Sequence, residues 1–109
     1  MTNAFDVLST GLADLDERSP GRAGGIAVGK VHDEPGLRVR TIALDAGAVL
    51  EEHVAGVPVL IHVVGGRVQF DIGGASHDLA AGALVRADGG VPHAVRAQEP
   101  SRLVLTLIG

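Results

Sequence analysis

The chain has 109 residues and a mass of 11.1 kDa, which is enough for one folded domain, and 46% of its residues are apolar, which excludes a disordered chain. Thirteen acidic residues against nine basic ones give a net charge of −4, and the basic residues are scattered, so nucleic acid is excluded as a partner. Cysteine is absent, which excludes disulfides and thiolate metal sites.

The first 24 residues are interpreted as an N-terminal arm. Apolar residues recur at roughly helical intervals over residues 3–16, which predicts one or two short helical turns. A polar, glycine-rich passage then closes the segment, since glycine and proline interrupt regular structure. We expect the apolar residues of the arm to pack over the mouth of the main domain or against a neighbouring subunit.

Residues 25–109 are interpreted as the main domain, built from short strands. Eight runs are rich in strand-forming residues and are separated by glycine, proline and aspartate: residues 26–32, 37–44, 57–64, 67–72, 76–79, 83–87, 93–97 and 102–108. The pairs Gly65-Gly66 and Gly73-Gly74 are each predicted to form a two-residue hairpin turn. Closure protects the edges of so many strands, so the fold class is predicted as all-β, a jelly-roll double-stranded β-barrel.

The longest apolar stretch, residues 57–64, is too short to cross a bilayer and contains Pro58 and His62, so no membrane association is expected. The first residues contain neither a basic region nor a long apolar segment. The expected location is therefore the cytoplasm.

Glycine and histidine spacing in the main domain resembles the cupin family. The first cupin motif is Gly, five residues, His-x-His, three or four residues, Glu, six residues, Gly, and it is matched by Gly47, His53 and Gly66. The second motif is Gly, five residues, Pro-x-Gly, two residues, His. It is matched by Gly82, Gly90 and His93, with Asp88 at the usual proline.

The resemblance implies a cupin barrel whose interior binds a small molecule and, as one alternative, a divalent metal such as Zn, Mn, Fe, Co or Ni. Metal-binding cupins use both His and the Glu of the first motif and the His of the second. Here His53 and His93 occupy two of these positions, whereas Ala55 and Val59 occupy the others. Glu51 is one candidate third ligand, because it shares the strand parity of His53. His62 is the other, although alternation from Val59 would point it outward unless a β-bulge intervenes.

Two functions of different class follow. In the first, the barrel holds a small-molecule ligand, with or without a metal, and the contacting residues are His53, His93, Val59, Ile61 and Phe70. In the second, the chain is a non-catalytic sensor, binding or structural module without metal. Its barrel is then closed by aliphatic and aromatic side chains: Val59, Ile61, Val63, Phe70, Leu84 and Val95.

Two further expectations concern the surface of the barrel. Arg40, Arg67 and Arg86 are isolated in sequence, and any of them at the barrel mouth would hold an anionic ligand. A set of apolar residues is expected to point outward and to favour a homodimer: Leu60, Val64, Leu103, Leu105 and Leu107.

Overall fold

The computed structural model describes residues 4–109, apart from the side chain of His53. This part of the chain contains one helix, α1 (Leu12–Arg18), and nine strands. The strands are β1 (Ile26–Glu34), β2 (Leu37–Leu44), β3 (Val49–His53), β4 (Val59–Gly65), β5 (Arg67–Ile72), β6 (Ala75–Ala80), β7 (Leu84–Ala87), β8 (His93–Ala97) and β9 (Ser101–Ile108). No helix among the described residues is long and apolar enough to cross a membrane.

The strands form two antiparallel sheets that face each other. One sheet has the order β1-β2-β9-β4-β7, and the other has the order β3-β8-β5-β6. A single apolar core lies between them and includes the wholly buried side chains of Val63, Val68 and Phe70. The predicted all-β, double-sheet barrel is therefore confirmed.

The two glycine pairs have different roles. Gly73-Gly74 joins β5 to β6 as a two-residue hairpin, and both glycines have the positive φ, 61° and 76°, that a primed turn requires. The hairpin predicted at Gly65-Gly66 is wrong, because β4 and β5 belong to different sheets. Gly66 instead carries the chain between sheets with φ 79°, where a Cβ would lie 2.7 Å from the Cα of Ser101.

Strand β3 has no counterpart among the predicted strands. It pairs with β8, and its register shifts between Leu50 and His53 because one extra residue is present on β3. Such a β-bulge interrupts the alternation of inward and outward side chains. The run Val49–His53 therefore has no regular period in the sequence.

Alternation along β4 is as predicted: Val59, Ile61 and Val63 are buried, and His62 lies on the outer face of the sheet. Leu103, Leu105 and Leu107 were expected to point outward, and this is wrong. They lie directly opposite the three buried residues of β4, and directly opposed residues share one face of a sheet. Leu84 was expected inside the barrel, but it lies opposite His62 on the outer face and is 65% exposed.

The N-terminal arm covers the outer face of the five-stranded sheet, and the expectation that it packs over the barrel mouth is wrong. Helix α1 lies against β1 and β2, and Leu15 is buried there. The guanidinium of Arg102, on β9, donates to Ser19 Oγ (2.6 Å), Ser19 O (2.8 Å) and Thr41 Oγ1 (2.7 Å) and pairs with Asp16 (2.9 Å). These bonds satisfy a buried cation and fasten the arm to the sheet.

Candidate functional site

The barrel interior is filled in one part and open in another. In the filled part, the space left between side chains does not admit a water molecule; its lining is Leu50, Ile61, Phe70, His93, Val95, Leu103 and Leu105. A cavity of about 290 Å³ opens beside it, towards the end of the barrel that carries the β1–β2 hairpin; its lining is Val28, Arg38, Arg40, Ile42, Val54, Ala55, Val59, His93, Leu105 and Leu107. His93 and Leu105 border both parts, so they mark the inner end of the cavity.

His93 is the polar group at this inner end. Its side chain is buried, with 3% of the residue exposed, and its ring stacks on Phe70 with 5.8 Å between ring centroids and 20° between ring planes. Its Nδ1 lies 3.1 Å from the carbonyl oxygen of Val91. Because a carbonyl oxygen only accepts, this bond places a proton on Nδ1. In the neutral ring, Nε2 is then the nitrogen that accepts a hydrogen bond or binds a metal.

His53 is brought to the same place by strand pairing. It lies directly opposite His93 in the ladder between β3 and β8, beyond the bulge that follows Leu50. Directly opposed residues of an antiparallel pair have their Cα atoms about 4.5–5.5 Å apart. The two histidines, forty positions apart in sequence, are therefore neighbours in the backbone.

The other predicted site residues occupy different levels of the barrel. Val59 lines the open cavity, whereas Ile61 and Phe70 lie beneath it in the filled part. Glu51 is exposed and lies in the segment of β3 where the register shifts; its alignment with the side chain of His53 lies outside the described residues. His62 lies on the outer face of β4, opposite Leu84 and Val104.

The described residues do not fit a complete metal site. Ala55 and Val59 stand at two of the four ligand positions of the family pattern, and they present hydrocarbon to the cavity. No group of three His, Asp or Glu side chains in the described part of the chain is close enough to hold a metal ion. First-row metals in catalytic sites usually take three protein ligands, so the chemistry below is assigned to the chain's own residues.

Two arginines stand at the cavity mouth. Arg40 is one of the three arginines singled out from the sequence; the other two, Arg67 and Arg86, pair with Asp78 and Asp88 on the surface. Arg38 was not singled out, although it lines the same cavity. The alternation Arg38-x-Arg40-x-Ile42 was the available signal, because it places both arginines on the inner face of β2 with a core residue.

A larger groove of about 710 Å³ lies outside the barrel, between the N-terminal arm and the sheet end near Gly65 and Gly66. Its buried cation is Arg102, which is already committed to Ser19, Thr41 and Asp16. The smaller cavity is the better candidate for a binding site, because it is concave, mostly apolar and has a few convergent polar groups.

Comparison with known proteins agrees with this architecture. A family model described as "Cupin domain" matches residues 40–109. None of the curated proteins matches the chain at a significant level. The fold is similar to that of a conserved protein of unknown function from Streptococcus pyogenes, with a TM-score of 0.79 and 18% identity over 99% of this chain and 95% of that one.

Two further solved structures are more similar in sequence. KdgF from Halomonas sp. is 27% identical with a TM-score of 0.72, over 77% of this chain and 80% of that one. The protein TT1209 from Thermus thermophilus is 26% identical with a TM-score of 0.77, over 87% of this chain and 94% of that one.

Proposed function

Since the chain belongs to the cupin family, we propose that it binds a small organic molecule in the open end of its barrel, with His93 as the polar contact at the inner end of the cavity. The observation that carries this proposal is the division of the interior. The filled part stops at His93, and the space beyond it is open. A barrel that served only as a scaffold would gain stability by filling that space as well.

The environment of His93 supports a role in ligand contact. Two contacts hold its ring. Stacking on Phe70 fixes the orientation of the ring plane, and the hydrogen bond to the carbonyl of Val91 fixes the proton on Nδ1. A ring held in this way is already ordered, so little conformational entropy is lost when a ligand packs against it.

The size of the cavity limits the ligand. Pockets for drug-sized molecules usually enclose about 300–1,000 Å³, and this one encloses about 290 Å³. The ligand is therefore expected to be a small metabolite. Aromatic side chains are absent from the described lining, so base or sugar stacking is not available to it.

The test is a screen of neutral and charged fragments by ligand-observed NMR, using the wild-type chain and a variant with a filled cavity. Ala55→Phe places a ring in the cavity, whereas Ala46→Phe adds the same ring at an exposed turn outside it and is the matched control. We expect fragments to bind the wild type and the control, and to bind Ala55→Phe at least tenfold more weakly. If no fragment of either class binds the wild type, or if Ala55→Phe binds them equally well, the proposal is wrong.

A further inference from the structure

We propose that the ligand is a small carboxylate with an apolar body, and that Arg38 is the residue that holds the carboxylate; this inference rests on the proposed function of the cavity. Charge at the mouth is the first observation. Lys30, Arg38 and Arg40 lie on the inner face of the β1–β2 hairpin, and Asp33 is the one described carboxylate on that face. A chain with a net charge of −4 thus has a cationic cavity mouth.

Arg38 and Arg40 differ in how many of their N–H groups already bond to the protein. Arg40 donates from one terminal nitrogen to the carbonyl oxygens of His32 (3.2 Å) and Val39 (3.0 Å), and its other terminal nitrogen lies 2.8 Å from a carboxylate oxygen of Asp33. The side chain of Arg38 has no hydrogen bond or ion pair with any described residue. Its five donors therefore remain for a ligand.

The geometry of these donors favours a carboxylate. A guanidinium matches a carboxylate with two parallel hydrogen bonds. A phosphate ester carries up to two charges on three oxygens, and a single free guanidinium leaves part of that charge unmatched. Asp33 also stands at the mouth, bound to Arg40, and repels a second negative charge. One negative charge on two oxygens fits best.

The rest of the cavity specifies the body of the ligand. Inward from Arg38 and Arg40, the strand β2 continues with Ile42, and the next strands of the same sheet, β9 and β4, contribute Leu105, Leu107 and Val59. A polyhydroxylated body would leave its hydroxyl groups without partners against these walls, at a cost in binding free energy. His93 lines the inner end of the cavity, where the far end of the ligand would lie.

Arg38 also lies outside residues 40–109, the part of the chain that matches the family model. The assignment therefore rests on this chain's own β1–β2 hairpin. It makes Arg38 a determinant of which small molecules enter the barrel.

The test is isothermal titration of the wild-type chain with benzoate and hexanoate, with their neutral isosteres benzamide and hexanamide, and with phenyl phosphate. The variant is Arg38→Gln. The matched control is Arg86→Gln. It removes the same charge from an arginine that lies on β7, outside the cavity, and pairs with Asp88. We expect at least one acid to bind at least tenfold more tightly than its amide, and Arg38→Gln but not Arg86→Gln to abolish this preference.

The outcomes separate the two proposals. Equal binding of acids and amides, or a preference that survives in Arg38→Gln, overturns the carboxylate inference and leaves the cavity as a binding site. Tighter binding of phenyl phosphate than of either acid also overturns it. Failure of both acids to bind also overturns the carboxylate inference. In that case the proposed function of the cavity is still supported if other fragments bind the wild type and Ala55→Phe abolishes their binding.

Discussion

Truncation of the cavity histidine tests whether the open end of the barrel is open in solution. His93→Ala removes the stacking on Phe70 and the hydrogen bond to the carbonyl of Val91. The vacated volume joins a cavity that opens to solvent, so water can enter and reach that carbonyl.

The expected cost follows from these contacts. An aromatic pair contributes about 0.5–1.5 kcal/mol beyond burial, and a hydrogen bond contributes about 0.5–1.5 kcal/mol net when its partner regains water. The free energy of unfolding should fall by about 1–3 kcal/mol. At roughly 2.1 cal/mol/K per residue, a chain of this length loses about 4 °C in Tm per kcal/mol, so the shift is about 4–12 °C. Phe70→Ala, in the filled part, should cost more, about 3–5 kcal/mol.

Urea unfolding followed by far-UV circular dichroism measures both variants, with thermal melts as the second readout. The expected order is wild type, then His93→Ala, then Phe70→Ala, with equal m-values. The reasoning is refuted if His93→Ala costs as much as Phe70→Ala, because that result would mean that the space around the histidine is closed and dry. A cost near zero would refute it equally.

Four other substitutions test the fold and the surface. Gly73→Ala should lower the free energy of unfolding by about 1–2 kcal/mol because of its positive φ alone. Gly66→Ala should lower it clearly more in the same urea assay, because the added Cβ also meets backbone atoms. Equal losses would contradict the close approach of the chain at Gly66, where it crosses between the sheets. Two backbone N–H groups hold the pKa of Asp45 below its ordinary 3.8, so its stabilising effect is present above that pH and is lost as pH falls through the folded-state pKa. Asp45→Asn should therefore flatten the acid limb of the stability curve below pH 3.8, and an unchanged acid limb would count against these bonds. We further propose a homodimer through the outer face that carries Leu84, which is 65% exposed. Light scattering should give twice the 11.1 kDa chain mass for the wild type and the mass of a single chain for Leu84→Glu. A monomeric wild type would rule the dimer out.

The architecture followed from the sequence because local signals repeat many times in it. Alternation of apolar residues located most strands, and the parity of Val59, Ile61 and Val63 was predicted correctly. The two glycine pairs show what local sequence patterns do not predict, namely whether consecutive strands pair in one sheet or lie in different sheets. Gly65-Gly66 and Gly73-Gly74 are identical dipeptides between strand-like runs, and only the long-range pairing of β4 with β9 decides that the first one changes sheets.

The candidate site was only partly accessible for the same reason. His53 and His93 were found through their spacing, which depends on short stretches of sequence. Arg38 shares the parity of Ile42 in the sequence, but only the pairing of β2 with β9, which sets Arg38 opposite Leu107, shows that this parity is the inner face. The bulge in β3 likewise appears only when its partner strand is known, since one extra residue changes the parity of all that follow.

Because Arg102 bonds to the N-terminal arm, the smallest part of this protein that folds on its own should include the arm. The family match begins at residue 40, yet Arg102, deep within the matched part, is neutralised and hydrogen-bonded by Asp16 and Ser19. A fragment limited to residues 40–109 would leave Arg102 without its carboxylate partner, with Thr41 as the hydrogen-bond partner retained, and would expose the remainder of β2 as a bare sheet edge, a template for aggregation. Arm and barrel should therefore melt in one cooperative transition, and truncation at the family boundary should yield an aggregating chain.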